Sequence, residues 1–162
     1  MKRKMLVLCL VVILLAGCGS TPSEDTQPPV GEDVAEAVDV VEIPERFFSV
    51  QIHSIMLNRD EYLGRTIRYE GLFRSVFWPP TEQYYHYVVR LTEDCCSPGG
   101  VIGFEVQLPD GMEQLEHDAW ALVEGVLEEY TAEDGVTYLR LALTSMEELE
   151  ERGEEFVPGA NM

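Results

Sequence analysis

The sequence predicts a mainly β fold, a small five-stranded barrel with one or two short helices. Three observations predict it: residues 66–143 contain five stretches in which apolar residues alternate with period two, the stretches are short, and turn-forming residues separate them. Alternation places the apolar side chains of a strand on one face. Five one-sided strands can bury those faces by closing into a barrel or by packing as a sandwich.

The five predicted strands follow one another at short intervals. They comprise residues 66–77, 84–91, 101–108, 120–128 and 136–143. The side chains expected to face the core are Ile67, Tyr69, Phe73, Tyr85, Tyr87, Val89, Leu91, Ile102, Phe104, Val106, Leu108, Leu127, Leu139, Leu141 and Leu143, with Leu122 or Val123. His86 lies on the opposite face of its strand and is expected to point to solvent.

Helical spacing precedes the first of these strands. Phe48, Ile52, Ile55 and Met56 would share one face of a helix that ends near residues 58–60. A second short helix is predicted between the third and fourth strands, where residues 110–117 have a suitable length.

Two of the predicted strands carry a glycine in mid-strand, Gly71 in the first and Gly125 in the fourth. A glycine at such a position usually marks a bulge or a sharp bend. The first and fourth strands of a five-stranded barrel must bend strongly to close the sheet. Together with a helix after the third strand, this favours an OB-like barrel. A sandwich with two incidental glycines is the alternative.

The N-terminus has the three parts of a secretory signal. Basic residues 2–4 precede an apolar run of 12 residues, Met5 to Ala16, and small residues follow. Such a run is too short for a bilayer core that needs about 20 residues. Residues 1–17 are therefore predicted to be a signal peptide.

The end of that signal, Leu15-Ala16-Gly17-Cys18, resembles the bacterial lipobox. The resemblance implies cleavage before Cys18, a diacylglycerol on its thiol and usually an acyl chain on its new amino group. Two or more chains would anchor the protein stably to the cell membrane, on its extracytoplasmic side. A plain cleaved signal with an incidental cysteine is the alternative.

Composition divides the remaining chain into a domain and two flanking segments. Residues 18–37 contain the lipidated cysteine and a flexible acidic tether, because they are rich in Ser, Thr, Pro, Glu and Asp and lack aromatic residues. Residues 38–150 form the predicted barrel domain. An acidic C-terminal tail is predicted for residues 151–162.

The acidic balance excludes one class of partner. The whole chain has a net charge of −19, and removing the predicted signal leaves 8 arginines against 30 acidic residues, a net charge of −22. Such a surface repels phosphate backbones, so nucleic acid is not expected as a partner.

Cys95 and Cys96 are adjacent, just before a turn-forming sequence. Neighbouring Cα atoms lie about 3.8 Å apart, which is below the usual disulfide range of about 4.4–6.8 Å. The pair could be structural, as packed thiols or a strained vicinal bridge. It could also bind zinc or copper(I) with further ligands. Redox catalysis is least favoured, because the spacing is not Cys-x-x-Cys.

Aromatic residues gather around the first predicted hairpin. Trp78 precedes two prolines, and Tyr84 begins the next strand. OB-folds often bind ligands in this neighbourhood, and exposed Trp and Tyr favour partner contacts. Trp78 and Tyr84 are therefore candidate partner-binding residues. The alternative is that Trp78 covers an open end of the barrel.

Three phrases carry a resemblance to a family. They are residues 58–66 (NRDEYLGRT), the Cys95-Cys96 pair before the strand with Gly103-Phe104-Glu105, and residues 120–125 (WALVEG). The chain resembles a family of exported bacterial lipoproteins with an OB-like domain and, more distantly, the soluble half of YcgQ-like permease subunits. The resemblance implies an OB-like barrel that in some members is associated with a membrane permease. Unlike those subunits, this sequence has a predicted lipid anchor and no predicted transmembrane helices.

These observations favour a membrane-anchored, extracytoplasmic module that binds a protein or small ligand and is not an enzyme. The sequence lacks the Gly-x-Ser-x-Gly, phosphate-loop and His-Glu-x-x-His motifs of common enzyme classes. The alternative is a metal-handling accessory protein that uses Cys95 and Cys96 and is linked to a permease. Apart from that zinc or copper, no cofactor is expected.

Overall fold

The computed structural model describes residues 39–93 and 100–159. The predicted signal peptide, Cys18, the tether and the Cys95-Cys96 pair lie outside the described residues. The described elements are β1 (Val40–Glu42), a 3₁₀ turn (Glu45–Phe47), α1 (Phe48–Leu57), α2 (Arg59–Tyr62), β2 (Thr66–Trp78), β3 (Gln83–Glu93), β4 (Gly100–Gln107), β5 (Trp120–Thr131), β6 (Thr137–Glu148) and β7 (Phe156–Pro158). None of the helices in this part of the chain is long and apolar enough to cross a bilayer.

Strands β2 to β6 close into a five-stranded barrel, in the order β2-β3-β4-β6-β5 and back to β2. All neighbours are antiparallel except β4 and β6, which run parallel, with Glu105 opposite Arg140. This confirms the predicted fold class, a mainly β, OB-like barrel with two short helices.

Both mid-strand glycines lie at irregular points of the barrel wall, one beside a change of pairing partner and the other beside a bulge. At Leu72, next to Gly71, β2 changes from pairing with β5 to pairing with β3. A Cβ at Gly71 would lie 2.9 Å from the carbonyl oxygen of Val89. Gly125 follows a bulge in the β5–β6 pairing, and a Cβ there would lie 2.7 Å from the carbonyl oxygen of Ala142. Neither position has room for a larger residue without a shift of the backbone.

The core fills the inside of the barrel. Phe48, Ile52 and Ile55 of α1 pack into the same core, and the Tyr69 ring meets those of Phe48 and Phe104 edge-on. The buried barrel residues in this core are Ile67, Tyr69, Phe73, Val88, Phe104, Val106, Ala121, Val123, Leu127, Leu141 and Leu143. Most side chains that the alternation assigned to the core are therefore inside.

Strand β3 differs from the prediction in phase. Val88 and His86 face inward, where the His86 ring stacks on Phe73 at 5.6 Å, and Tyr85 and Tyr87 lie half-buried on the outer side. The expectation of a solvent-facing His86 was wrong. Val88, Val89 and Arg90 are all buried, so both phases of residues 84–91 contribute buried side chains and alternation alone could not select the inward set.

The connection from β4 to β5 is not helical in the structure. Pro109 removes a donor, and Gly111 and Asp118 have positive φ angles of 87° and 65°, which interrupt a right-handed helix. The connection instead returns to the barrel, where Phe73 and residues 118–119 exchange two backbone hydrogen bonds of 2.8 Å.

Two short terminal strands were not predicted. β1 pairs in parallel with β2, and β7 pairs in parallel with β3. Val157 of β7 is 2% exposed, and it lies within the segment predicted as an acidic tail. Strands of three residues are too short for a periodic pattern to reveal.

Candidate functional site

Four tyrosines lie on the outer side of the barrel, on three of its strands. Tyr85 and Tyr87 are on β3, Tyr130 is on β5 and Tyr138 is on β6. Glu105 of β4 is opposite Tyr87, and Arg140 of β6 is opposite Glu105. We call this set of six residues the tyrosine face.

The centre of the tyrosine face is a hydrogen-bonded cluster. The Tyr130 hydroxyl donates to Oε2 of Glu105 at 2.8 Å. The Arg140 guanidinium lies 4.5 Å from the centre of the Tyr130 ring, and its Nε donates to Oε1 of Glu128 at 2.7 Å. The ring of Tyr138 packs against that of Tyr130 with centroids 5.8 Å apart. These contacts hold the side chains of β4, β5 and β6 in one arrangement.

Burial controls the electrostatics of this cluster. Burial raises the pKa of Glu105, while the Tyr130 hydrogen bond and the Arg140 charge act in the opposite direction. Burial also raises the pKa of Tyr87 and Tyr130, and the Glu105 carboxylate adds to both effects. The pKa of Tyr138 is raised first by the charge of Asp134. The hydroxyls of these three tyrosines are therefore protonated hydrogen-bond donors at neutral pH.

The predicted partner-binding residues lie beside the tyrosine face. Trp78 is 54% exposed and Tyr84 is 64% exposed, at the tip of the β2–β3 hairpin. Phe77 is opposite Tyr84, and their ring centroids are 5.1 Å apart. We call Phe77, Trp78 and Tyr84 the aromatic hairpin. Both side chains are accessible at this tip, but Trp78 pairs with Gln83 and Phe77 pairs with Tyr84, so Trp78 and Tyr84 leave the hairpin on opposite faces.

A buried arginine occupies a different part of the barrel. Arg90 is 2% exposed, and its guanidinium lies 4.4 Å from the Phe48 ring centre and 5.1 Å from that of Trp120. Its Nε donates to the Glu70 carbonyl oxygen at 3.0 Å, and its Nη1 lies 3.5 Å from Oε1 of Glu45. Burial lowers the pKa of Arg90, and the neighbouring carboxylates oppose that effect.

Arg90 joins the two ends of the described domain to the barrel. The Glu45 carboxylate that it meets also accepts a hydrogen bond from the backbone nitrogen of Glu154. A groove of about 700 Å³ beside it is lined by acidic residues, Arg68 and Arg152. Because Arg90 makes its polar contacts with Glu45 and Glu70 of the same domain, we assign Arg90 a structural role.

The metal prediction falls on residues outside the described part of the chain, because Cys95 and Cys96 lie there. Within residues 39–93 and 100–159, no group of three or more His, Cys, Asp or Glu side chains is placed to hold a metal ion.

Sequence reasoning missed most of the tyrosine face. Glu105 and Arg140 were not candidates, and Tyr85 and Tyr87 were assigned to the core. One signal was available: Tyr130 and Tyr138 flank the Glu133-Asp134-Gly135 turn symmetrically, as an exposed cross-strand aromatic pair would.

The comparisons with known proteins give one match. A family model described as the DUF1980 C-terminal domain matches residues 21–157, which is most of the chain. No curated protein and no solved structure matches the chain.

Proposed function

We propose that this chain, which belongs to the DUF1980 C-terminal domain family, is a non-enzymatic accessory module that binds a partner. The binding surface in this proposal consists of the tyrosine face and the aromatic hairpin. Export and anchoring through a lipidated Cys18 are part of the same proposal and place the module outside the cytoplasmic membrane.

The observation that carries the proposal is the exposure of three aromatic side chains at the tip of one hairpin. Phe77, Trp78 and Tyr84 are each at least 46% exposed, although large aromatic side chains gain free energy from burial. Such side chains are enriched at sites of partner contact, where they are buried on binding.

The position of this surface on the fold supports a binding role. It lies on β3 and β4, the second and third strands of the barrel, between the β2–β3 and β5–β6 hairpins. OB-folds bind ligands on the face of these two strands and through these two connections. Thr81 lies in the turn between Trp78 and Tyr84 of the aromatic hairpin. Its hydroxyl oxygen is 3.4 Å from that of Tyr85, so this turn contacts the tyrosine face.

The chemistry of the surface also suits binding. The acidic group at its centre, Glu105, accepts a hydrogen bond from Tyr130, and Arg140 is paired with Glu128. Side chains held in this way present fixed donors and ring surfaces, and fixing them in advance lowers the entropy cost of binding.

Site-specific photo-crosslinking in the native cell envelope tests this proposal. A photoreactive amino acid at Tyr84 or Tyr138 should give the same adduct, because both positions border one binding surface. The matched control is Asp60 on α2, whose side chain is 92% exposed and belongs to neither part of the surface.

Trp78→Ala should reduce the adduct formed from Tyr138 without lowering the amount of protein in the membrane. The proposal is wrong if Asp60 gives the same adduct in the same yield. It is also wrong if neither surface position gives an adduct in cells that produce the protein.

A further inference from the structure

We infer that the tyrosine face binds lysine or arginine side chains on an extended segment of a partner protein. This inference rests on the proposed function and names the chemistry of its ligand. The charge of the surface, the rings that cover it and the pairing of the strands beneath it all favour such a ligand.

The charge of the surface favours a cation. The tyrosine face contains the carboxylate of Glu105, and the carboxylates of Glu128 and Asp134 lie next to it. The face contains one positively charged group, the guanidinium of Arg140. The whole chain has a net charge of −19, so the long-range field also attracts cations. A positively charged segment would gain from both.

The rings of the face provide the complementary contact. The negative face of an aromatic ring attracts ammonium and guanidinium groups, and Tyr is one of the rings that do so. The Arg140 guanidinium already occupies such a position, 4.5 Å from the centre of the Tyr130 ring. The half-buried rings of Tyr85 and Tyr87 lie on β3, two strands from Arg140 on β6. They offer further ring surfaces to a cation.

The pairing of the strands shows how the ligand would be held. At the centre of the face, residues 86–89 of β3 pair with both β2 and β4, and residues 105 and 106 of β4 pair with both β3 and β6, so their backbone groups are occupied. A partner segment therefore cannot pair as an added strand with these central residues. It must be held by side chains, and an extended segment places alternate side chains toward the rings.

Other occupants fit less well. A nucleic acid and a second copy of this acidic chain would both bring negative charge to the surface. The acidic segment at residues 19–37 of the same chain carries the same sign. A neutral oligosaccharide could stack on the rings, but it would make no use of the charge.

The test is a titration of the purified full chain in detergent with two synthetic eight-residue peptides. One alternates lysine and serine, and the other has the same sequence with every lysine acetylated, which removes the charge and keeps the length. We expect the lysine peptide to bind at least about tenfold more tightly, and to bind more weakly as salt is added.

Two variants of the face test where the peptide binds. Glu105→Gln keeps the shape of the side chain, and Tyr85→Ala combined with Tyr87→Ala removes two rings. Each should weaken binding of the lysine peptide by about 5- to 30-fold. Glu61→Gln on α2 is the matched control and should bind as the unchanged chain does, and thermal melts establish that every variant is folded.

The outcomes separate this inference from the proposed function. Equal binding of both peptides, or unchanged binding by the face variants, overturns the inference. If the lysine peptide does not bind but the crosslinks from Tyr84 and Tyr138 still form, the inference fails and the proposed function stands. If hexa-N-acetylchitohexaose binds and the lysine peptide does not, the inference again fails and the proposed function stands. If the crosslinks are also absent, both proposals fail.

Discussion

The Tyr130 hydroxyl donates a hydrogen bond of 2.8 Å to the Glu105 carboxylate, across the strand that separates them. Tyr130 is on β5 and Glu105 is on β4, and β6 lies between these strands in the sheet. The bond therefore joins the β5–β6 hairpin to the wall of the barrel where β4 and β6 close it. It also fixes the orientation of the proposed binding surface.

Removing that donor should destabilise the domain. Tyr130→Phe leaves the Glu105 carboxylate without its hydroxyl partner, and we expect the free energy of unfolding to fall by about 1 kcal/mol. Chemical denaturation measures it. Tyr138→Phe is the matched control, because its hydroxyl bonds to the exposed Asp134 at a longer 3.3 Å. Equal losses of free energy of unfolding in the two variants would show that the bond to Glu105 stabilises the domain no more than the exposed bond to Asp134.

The burial of Glu105 predicts a dependence of stability on pH. Burial raises the pKa of Glu105 above its ordinary value of 4.5. In the interval between the two values the folded state holds more protons than the unfolded state, so the contribution of Glu105 to stability is present below pH 4.5. It is lost as the pH rises through the folded pKa.

Glu105→Gln should remove this dependence. Compared with the variant, the unchanged chain should lose free energy of unfolding as the pH rises from below 4.5 through the folded pKa of Glu105. Denaturation curves measured at a series of pH values check this. A difference between the two proteins that stays constant over the series would contradict it.

His86 predicts the opposite dependence on pH. Burial lowers its pKa below the ordinary value of 6.5, and its Nδ1 is buried without a hydrogen bond among the described residues. The unfolded state then binds more protons, so stability is present above pH 6.5 and is lost as the pH falls through the folded pKa.

His86→Gln should lessen the loss of stability below pH 6.5. Thermal melts of the variant and of His53→Gln, a control on α1, at neutral and mildly acidic pH test this. If the two variants follow the same curve, His86 is not responsible for the loss.

The Arg90 contacts predict a large effect of a single substitution. Arg90→Met fills part of the space but leaves Glu45 without its buried cation and removes the contacts with Phe48 and Trp120. Because the Glu45 side chain is 47% exposed, water can solvate its carboxylate in the variant, and the expected loss in the free energy of unfolding is about 1–3 kcal/mol. Arg59→Met, at a side chain that is 52% exposed, should change it by less than about 0.5 kcal/mol. Similar losses at both positions would rule out a special role for Arg90.

Gly125 predicts a steric effect. A Cβ in Gly125→Ala would lie 2.7 Å from the carbonyl oxygen of Ala142, so the backbone of β5 or β6 must shift. The expected cost is about 1–3 kcal/mol, measured as a lower denaturation midpoint. An unchanged midpoint would mean that the bulge can absorb a methyl group.

The sequence predicted the barrel well because most of its strands carry their apolar side chains mainly on one face. On β4 and β6 the buried residues Phe104, Val106 and Leu141 alternate with residues such as Glu105 and Arg140, which lie on the tyrosine face. Gly71 and Gly125 added the bends. β1 and β7 were missed because each has only three residues and takes its stability from the strand it pairs with.

The site was harder to predict than the fold. Residues 84–91 could bury either set of side chains, and the choice was made by contacts distant in sequence, such as the His86 ring against Phe73. The bond between Tyr130 and Glu105 joins strands that are not neighbours, which no local pattern encodes. Trp78 and Tyr84 could be named as candidates because prolines and aromatic residues in a turn are a local signal, and their binding role stays a prediction.

The parallel seam between β4 and β6 has a consequence for how the chain reaches its native state. Residues 105–107 find their partners on the β6 side only in residues 140–142, so the cylinder stays open until most of the domain is available. Domains dominated by contacts between distant segments fold in about milliseconds to seconds, slower than helical bundles. In that interval the inner surfaces of β2 to β4 are without their final cover, and the acidic character of the chain, through charge repulsion, would limit self-association.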